Sequence, residues 1–284
     1  MITVDTVAAL REQVSRLRQS GKRIAFVPTM GNLHAGHVHL MQEARRHAPA
    51  VVASVYVNPL QFGQGEDFDS YPRTPAHDKV ALLSAGVDLL FRPGDAEMYP
   101  RGKAVQAFVE VPGLGDDLCG AFRPGHFRGV TTVVNHLFNL VTPDVAVFGK
   151  KDYQQWLLIR LMTADLGLPI EIVGVDTVRE PDGLALSSRN NYLSPEQRQV
   201  APRLYEALVR LRDRVLREGM HLAAAEENAV IDLQADGFRP DYVKVRRQSD
   251  LQLPASEDRR LVVLAAAWLG KTRLIDNVEF ELKS

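Results

Sequence analysis

Two histidines, His34 and His37, stand three residues apart in the stretch Pro28-Thr29-Met30-Gly31-Asn32-Leu33-His34-Ala35-Gly36-His37. That spacing puts both side chains on one face of a helix. The stretch lies between a short apolar run at 24–27, closed by Pro28, and residues 36–47, which read as a helix. The pair therefore falls in the first turn of a helix that follows a strand. Unpaired backbone N–H groups and the helix dipole attract anions there. Gly36 between the histidines lets a flat ring or a phosphate approach the backbone closely. Imidazoles so placed can donate hydrogen bonds to triphosphate oxygens as charge builds up in a transition state. Two histidines at this spacing also suit a core or a surface role. A metal site would need His39 or the distant His126 as a further ligand, and no acidic residue stands at metalloprotease spacing. The position at a strand's end favours the phosphate reading.

Other groups have chemical potential of the same kind. Gly149-Lys150-Lys151-Asp152 follows an apolar run at 144–148 and opens a helix, and lysine at a strand end facing a helix N-terminus suits a phosphate. A Lys-Lys pair is also common as a solvated charge run. Asp152 can cap the helix and still touch a nucleotide. Gln155 lies four residues past Lys151 and three past Asp152, so the three can face one site. Asn58-Pro59 is a turn signal, so Asn58 reads as structural, whereas Gln61 has no turn role. In Leu186-Ser187-Ser188-Arg189 the hydroxyls and the arginine fork can bind phosphate oxygens, although such a stretch is equally an ordinary loop. Arg73, in Tyr71-Pro72-Arg73-Thr74, reads as a structural ion-pair partner.

The elements that must position these groups alternate. Apolar positions recur at helical spacing over 6–18, with Gly21 as a stop. β-Branched or apolar runs at 24–27, 51–57, 88–91, 144–148 and 170–175 read as strands. Between them, 36–47, 75–85 and 152–166 read as helices. Residues 129–141 suit helix or strand by composition, and their length between Gly129 and Pro143 favours helix. This alternation predicts an α/β fold with a doubly wound, Rossmann-like parallel sheet. Ligands bind such sheets at the carboxyl ends of the strands, where the groups above lie. After about residue 178 the pattern changes to helices at 195–217 and 221–236, then strand-like runs at 241–245, 261–268 and 273–282. A second, smaller α+β domain follows from that change, giving expected domains at 1–178 and 179–284.

Composition sets outer bounds. The 284 residues are enough for two domains, and 45% hydrophobic with 24% charged residues is ordinary for a globular chain. Thirty-four basic against thirty-five acidic residues leave a net charge of −1, so no basic surplus points to nucleic acid. A single cysteine, Cys119, forbids an intrachain disulfide framework and an all-cysteine zinc site. The first residues lack a basic start followed by an apolar core, so no secretory leader is expected. The longest apolar run, 261–269, is too short to span a bilayer, which needs ~20 residues.

The loop FVPTMGNLHAGHVHL (26–40) resembles the adenylate-binding signature of the nucleotidylyltransferase superfamily, related to class I aminoacyl-tRNA synthetases. Within it, the chain is similar to the pantothenate synthetase (pantoate–β-alanine ligase) family. VYVNPLQFG (55–63), EDFDSYPRT (66–74), RPGHFRGVTTVV (123–134), VFGKKDYQQ (147–155) and DGLALSSRN (182–190) agree with that family in order. The resemblance implies an ATP-dependent ligase. Pantoate and ATP form an enzyme-bound pantoyl adenylate with release of pyrophosphate, and β-alanine then attacks the acyl carbon to give pantothenate and AMP. It implies His37, His34 and Lys151 as catalytic residues. It implies ATP contacts at Met30, Gly31, Asn32, Leu33, His34, Ala35, Gly36, His37, Gly149, Lys150, Lys151, Asp152, Val178, Leu186, Ser187, Ser188 and Arg189, with Val178 meeting adenine through its backbone. Gln61 and Gln155 would hold pantoate, and Gln61 would also meet β-alanine. Neutral amides suit that acid, because a fixed positive charge on its carboxylate would blunt the nucleophile. Mg2+ would accompany ATP, with Asp78 a candidate to organise it and no metal site of the protein's own. The family implies a cytoplasmic homodimer, with no nucleic-acid or membrane partner and a smaller C-terminal domain closing over ATP. Arg123, His126 and Arg128 form an active-site loop without assigned roles.

Two positions depart from the family pattern. Asn135-His136 stands where many members have lysine, and Cys119 where many have an acidic residue; neither belongs to the ATP signature. Two other functions compete with the ligase. A nucleotidylyltransferase acting on a nucleotide substrate would need a second phosphate pocket, against which the neutral Gln61 and Gln155 argue. A silent nucleotide- or tRNA-binding module would be expected to have lost Lys151 and the 187–189 motif.

Overall fold

The computed structural model describes residues 1–219 and 221–283. The chain divides into two compact units, Met1–Lys150 with Leu158–Asp176, and Lys151–Leu157 with Thr177–Ser284. Residues 151–157 thus group with the second unit, whereas the sequence reading assigns them to the first domain. Local pattern does not reveal this, because they open a helix whose remainder belongs to the first unit.

In the first unit six parallel strands, β1 (Ile2–Val4), β2 (Ile24–Thr29), β3 (Ala50–Val55), β4 (Leu89–Phe91), β5 (Val145–Gly149) and β6 (Glu171–Val175), are ordered β1-β4-β3-β2-β5-β6. Helices α1 (Val7–Gln19), α2 (Ala35–His47), α3 (Pro75–Ser84), α4 (Asp95–Met98), α5 (Cys119–Phe122), α6 (His126–Val141) and α7 (Tyr153–Asp165) connect them. Side chains alternate across β2, as a strand requires. Ala25 and Val27 pack with Met41 and Ala44 of α2, while Phe26 meets Phe138 of α6 edge-on at 6.5 Å. The order reverses between β2 and β5, and a doubly wound sheet opens a ligand crevice at such a point. The histidines follow β2 at the start of α2, and Gly149 ends β5 with Lys150 just after it. β2 runs on through Pro28, beyond the expected 24–27. It pairs with β5 only at Ala25 and Phe26, so the proline's missing N–H falls where that ladder has ended.

The second unit holds an antiparallel sheet, β7 (Arg239–Arg247), β8 (Arg260–Leu269) and β9 (Thr272–Glu281), in that order. Helices α8 (Pro195–Val200), α9 (Arg203–Glu218) and α10 (Leu222–Ala235) precede it. Leu204, Leu208, Leu211 and Val215 of α9 and Leu233 of α10 share a core with Val243, Val263 and Phe280 of the sheet. The expected single helix over 195–217 is two, broken where Pro202 supplies no N–H. The fold is therefore α/β, a doubly wound parallel sheet with a smaller α+β unit after it.

Candidate active site

The loop after β2 is shaped from beneath. Gly31 has φ +84°, and a Cβ there would lie 2.9 Å from Asp78 Oδ2 and 3.1 Å from Val55 Cγ1. Asn32 follows at φ 50°, a region asparagine tolerates better than most residues. The Asp78 carboxylate, 2% exposed, accepts from Asn32 N at 3.1 Å, Leu33 N at 2.8 Å and Thr74 Oγ1 at 3.0 Å. Both its oxygens thus accept from the protein's own donors, and the carboxylate holds this loop. Leu33 is buried in the core beside α2.

His34 is the N-cap of α2 and His37 its third residue. His34 Nδ1 accepts from Gly36 N at 3.2 Å, and His37 Nδ1 accepts from His34 N at 3.3 Å. The capping box normally built by Ser and Glu is built here by two imidazoles, whose rings lie 4.1 Å apart. Because both Nδ1 atoms accept, each neutral ring carries its proton on Nε2. Local capping thereby yields two N–H donors at a helix N-terminus, where the dipole already favours an anion.

Gln61 ends a single 3-10 turn, Pro59–Gln61, after β3. Asn58 caps that turn and organises what surrounds it. Its Oδ1 accepts from Leu60 N at 3.3 Å and from Tyr99 OH at 2.6 Å, and its Nδ2 donates to Gly129 O at 3.1 Å and Gln61 Oε1 at 3.2 Å. Gln61 Nε2 is 3.1 Å from Met30 Sδ, which joins this amide to the histidine loop. Asn58 is structural, as read from the turn signal. Burial, with Asp95 nearby, pushes the Tyr99 hydroxyl above its usual range, so it stays a donor. Tyr99, Gly129 and the loop-holding role of Asp78 are not visible in the sequence, since each acts across at least 40 positions. Arg73 donates to the carbonyls of Phe68, Asp69 and Tyr71 and stacks over Phe68, and Arg128 covers the Phe108 ring at 4.9 Å.

Gly149 and Lys150 also belong to the first unit, with Lys150 Nζ 3.1 Å from Asp176 Oδ1. Lys151, Asp152, Gln155, Val178, Leu186, Ser187, Ser188 and Arg189 belong to the second. There the Lys151 ammonium, 19% exposed, lies 3.7 Å from Asp152 Oδ2, and its backbone carbonyl accepts from Asn277 Nδ2 at 3.0 Å. Arg179 grips Asp276 with two bonds of 2.6 and 2.9 Å, donates to Gly183 O and Asn277 O, and stacks 3.7 Å from the Tyr205 ring centre. Leu186 N donates to Val178 O at 3.0 Å, closing the base of the loop between them. Ser187 Oγ accepts from Arg189 N at 3.3 Å and caps the turn Ser188–Tyr192. Lys151, Val178 and the serine-arginine turn are therefore tied to one buried Arg179–Asp276 pair.

A family model described as pantoate-beta-alanine ligase matches residues 2–279. The chain belongs to that family. It is 56% identical over 283 residues to the pantothenate synthetase of Pseudomonas entomophila, covering 100% of this chain and 99% of that one. The crystal structure of pantothenate synthetase from Thermus thermophilus superposes with a TM-score of 0.90 at 51% identity, covering 98% and 99% of the two chains. The pantoate-beta-alanine ligase of Francisella tularensis, complexed with beta-gamma ATP and beta-alanine, gives a TM-score of 0.82 at 33% identity, covering 98% and 97%. In this member of the pantoate–β-alanine ligase family the histidine loop, Gln61 and Lys151 are each held by hydrogen bonds within their own unit.

Proposed function

We propose that the ATP-dependent condensation of pantoate with β-alanine, which this chain carries out as a member of its family, proceeds through an enzyme-bound pantoyl adenylate. A pantoate carboxylate oxygen attacks the α-phosphorus, the bond to the β-phosphate oxygen breaks, and pyrophosphate leaves. The β-alanine nitrogen then attacks the acyl carbon, the bond to AMP breaks, and the amine loses a proton as the amide forms. The observation that carries this reading is the pair of imidazoles at the start of α2 with both Nδ1 atoms accepting from backbone amides. Their Nε2–H groups are fixed donors, which suits oxygens that gain charge during phosphoryl transfer. We assign His34, His37, Lys151 and the 187–189 turn to ATP, Gln61 and Gln155 to pantoate, and Gln61 also to β-alanine. Gln61, 7% exposed with its amide already oriented by Asn58, suits a carboxylate that must stay nucleophilic. Positioning of that carboxylate supplies much of the rate enhancement.

Magnesium would come with the triphosphate. Among the described residues no cluster of three or more His, Cys, Asp or Glu side chains could hold a metal ion, so these residues offer no resident cage. When bound, the cation would neutralise phosphate charge beside the donors named here. No helix among the described residues is long and apolar enough to cross a membrane. A cytoplasmic homodimer is the assembly and location we assign by family membership, which light scattering and fractionation would check. The central test is exchange of labelled pyrophosphate into ATP. Pantoate alone should support exchange without β-alanine; exchange that required β-alanine would exclude a free-standing adenylation step.

A further inference from the structure

Gln61 is held at its backbone as well as at its side chain. The 3-10 turn that presents it is weak in itself, since the bonds Gln61 N to Asn58 O and Phe62 N to Pro59 O are both 3.4 Å long. A much shorter contact reaches the Gln61 carbonyl oxygen from His126, the first residue of α6, whose Nδ1 lies 2.7 Å away. A carbonyl oxygen only accepts, so Nδ1 carries a proton. On the other side of the ring, Nε2 lies 3.0 Å from Arg123 Nη1. A guanidinium only donates, so Nε2 accepts. Both contacts are satisfied by one protonation state, the neutral ring with its proton on Nδ1.

Arg123 is itself fixed. Its Nε and Nη2 donate to Glu66 Oε1 and Oε2 at 2.7 and 2.6 Å, and Nη2 also reaches Gln61 O at 3.3 Å. Burial alone would raise the Glu66 carboxyl, but the hydrogen bond and charge of Arg123 bring it below its ordinary value. Glu66 is therefore ionised at neutral pH, Arg123 is oriented by it, and Arg123 sets the tautomer of His126. The Phe127 ring, 4.8 Å from the imidazole, packs against its edge. A chain of three side chains thus ends on a single main-chain oxygen.

We propose that His126 is a positioning residue for pantoate: its Nδ1–H, set by the Arg123–Glu66 pair, fixes the Gln61 main chain so that the Gln61 amide keeps its aim. This inference rests on Gln61 being a pantoate ligand, as assigned above. It separates the two nitrogens of His126, and conservative variants can do the same. An asparagine amide nitrogen stands close to where Nδ1 stands, whereas a glutamine amide nitrogen stands nearer to Nε2. His126→Asn should keep the donor to Gln61 O and leave the KM for pantoate within about threefold of the parent. His126→Gln should lose that bond and raise the KM for pantoate by roughly tenfold, with the KM for ATP little changed.

Gln61→Ala is run alongside. A raised pantoate KM in Gln61→Ala, together with the Asn–Gln difference at position 126, supports the proposal. A raised pantoate KM in Gln61→Ala with equal behaviour of both His126 variants overturns it while leaving Gln61 as a ligand. An unchanged pantoate KM in Gln61→Ala overturns both the ligand assignment and the proposal built on it. Two-bond proton–nitrogen correlation of nitrogen-labelled histidine in the parent protein gives a readout that needs no His126 variant to fold. A pattern with the proton on Nδ1 is expected for His126, and a proton on Nε2 overturns the proposal.

Discussion

Asn32 and Leu33 turn their backbone N–H groups toward Asp78, whose oxygens accept them at 3.1 and 2.8 Å. The bond to Leu33 spans 45 positions, so no local spacing announces it. In the sequence Asp78 therefore reads only as a candidate to organise magnesium, and its bonds to the loop are not legible. The histidines are legible because their signal is local: a strand, a glycine-containing turn and a helix start within ten residues. That they cap each other is not legible, since histidine is not a usual capping residue. Removing the Asp78 carboxylate strands two backbone donors in a buried setting, and each such loss costs about 1–3 kcal/mol. We expect Asp78→Ala to lower unfolding stability by about 2–4 kcal/mol and to slow pyrophosphate exchange in the fraction that stays folded. Urea denaturation and exchange assays measure the two effects separately. Stability within about 0.5 kcal/mol of the parent, the range of an ordinary surface change, would contradict the role given to Asp78.

α6 joins several of these residues, because one helix start supplies His126 and one face supplies Gly129. A Cβ on Gly129 would lie 2.5 Å from the Leu60 carbonyl carbon and 2.7 Å from Gln61 N, so only glycine lets the turn lie against the helix. Gly129→Ala should therefore push the Pro59–Gln61 turn away and raise the KM for pantoate at least roughly tenfold, by the same loss of hydrogen bonding argued for Gln61. Steady-state kinetics with each substrate varied in turn would show it, and an equal rise in the KM for ATP would point to general unfolding instead. The helix expected at 129–141 begins three residues earlier, at His126, after Gly125 in the left-handed region at φ 78°. Apolar periodicity cannot mark that start, because the first residues are held by side-chain contacts to distant parts of the chain. His136 lies farther along the same helix, where burial, with Arg11 nearby, pushes its pKa below 6.5. The folded state thus binds this proton less readily than the unfolded state. Its neutral form costs nothing above pH 6.5, and stability is lost as pH falls from there toward the lowered folded pKa. His136→Gln should therefore lose less stability than the parent as the pH is lowered by about one unit from the ordinary histidine value of about 6.5. Parallel losses in the two proteins would show that His136 takes no part. In the sequence, position 136 stands out only as a departure from the family pattern, and its physical consequence comes from the packing of the helix.

At the scale of the molecule, the alternation of strands and helices makes the doubly wound sheet legible, while the strand order, the three-residue β1 and the membership of 151–157 are not. Those depend on which elements meet after folding. The residues proposed above for adenylation divide between the two units: His37, with Nε2–H at the start of α2, belongs to the first, and Lys151, tied through Asn277 to the Arg179–Asp276 pair, to the second. In the adenylation step the α-phosphorus gains charge as the carboxylate arrives and pyrophosphate departs. Donors fixed before that moment act mainly there, and removing one such donor costs about 3–4 kcal/mol. The second step expels AMP from a mixed anhydride, an easier leaving group that asks less of them. His37→Ala and Lys151→Ala should therefore each slow adenylate formation by roughly a hundredfold or more while sparing the amine attack. Lys151→Arg should restore little, because a planar fork does not replace a compact ammonium. The steps are separated by supplying preformed pantoyl adenylate with β-alanine and timing its conversion in a rapid quench. Fast conversion beside slow pyrophosphate exchange is the expected result for both alanine variants. If either variant consumes the preformed adenylate as slowly as it makes it, that residue supports the whole site rather than the first transition state. In that case Asp276→Asn, which weakens the anchor behind Lys151 while leaving the lysine itself in place, should reproduce the defect of Lys151→Ala.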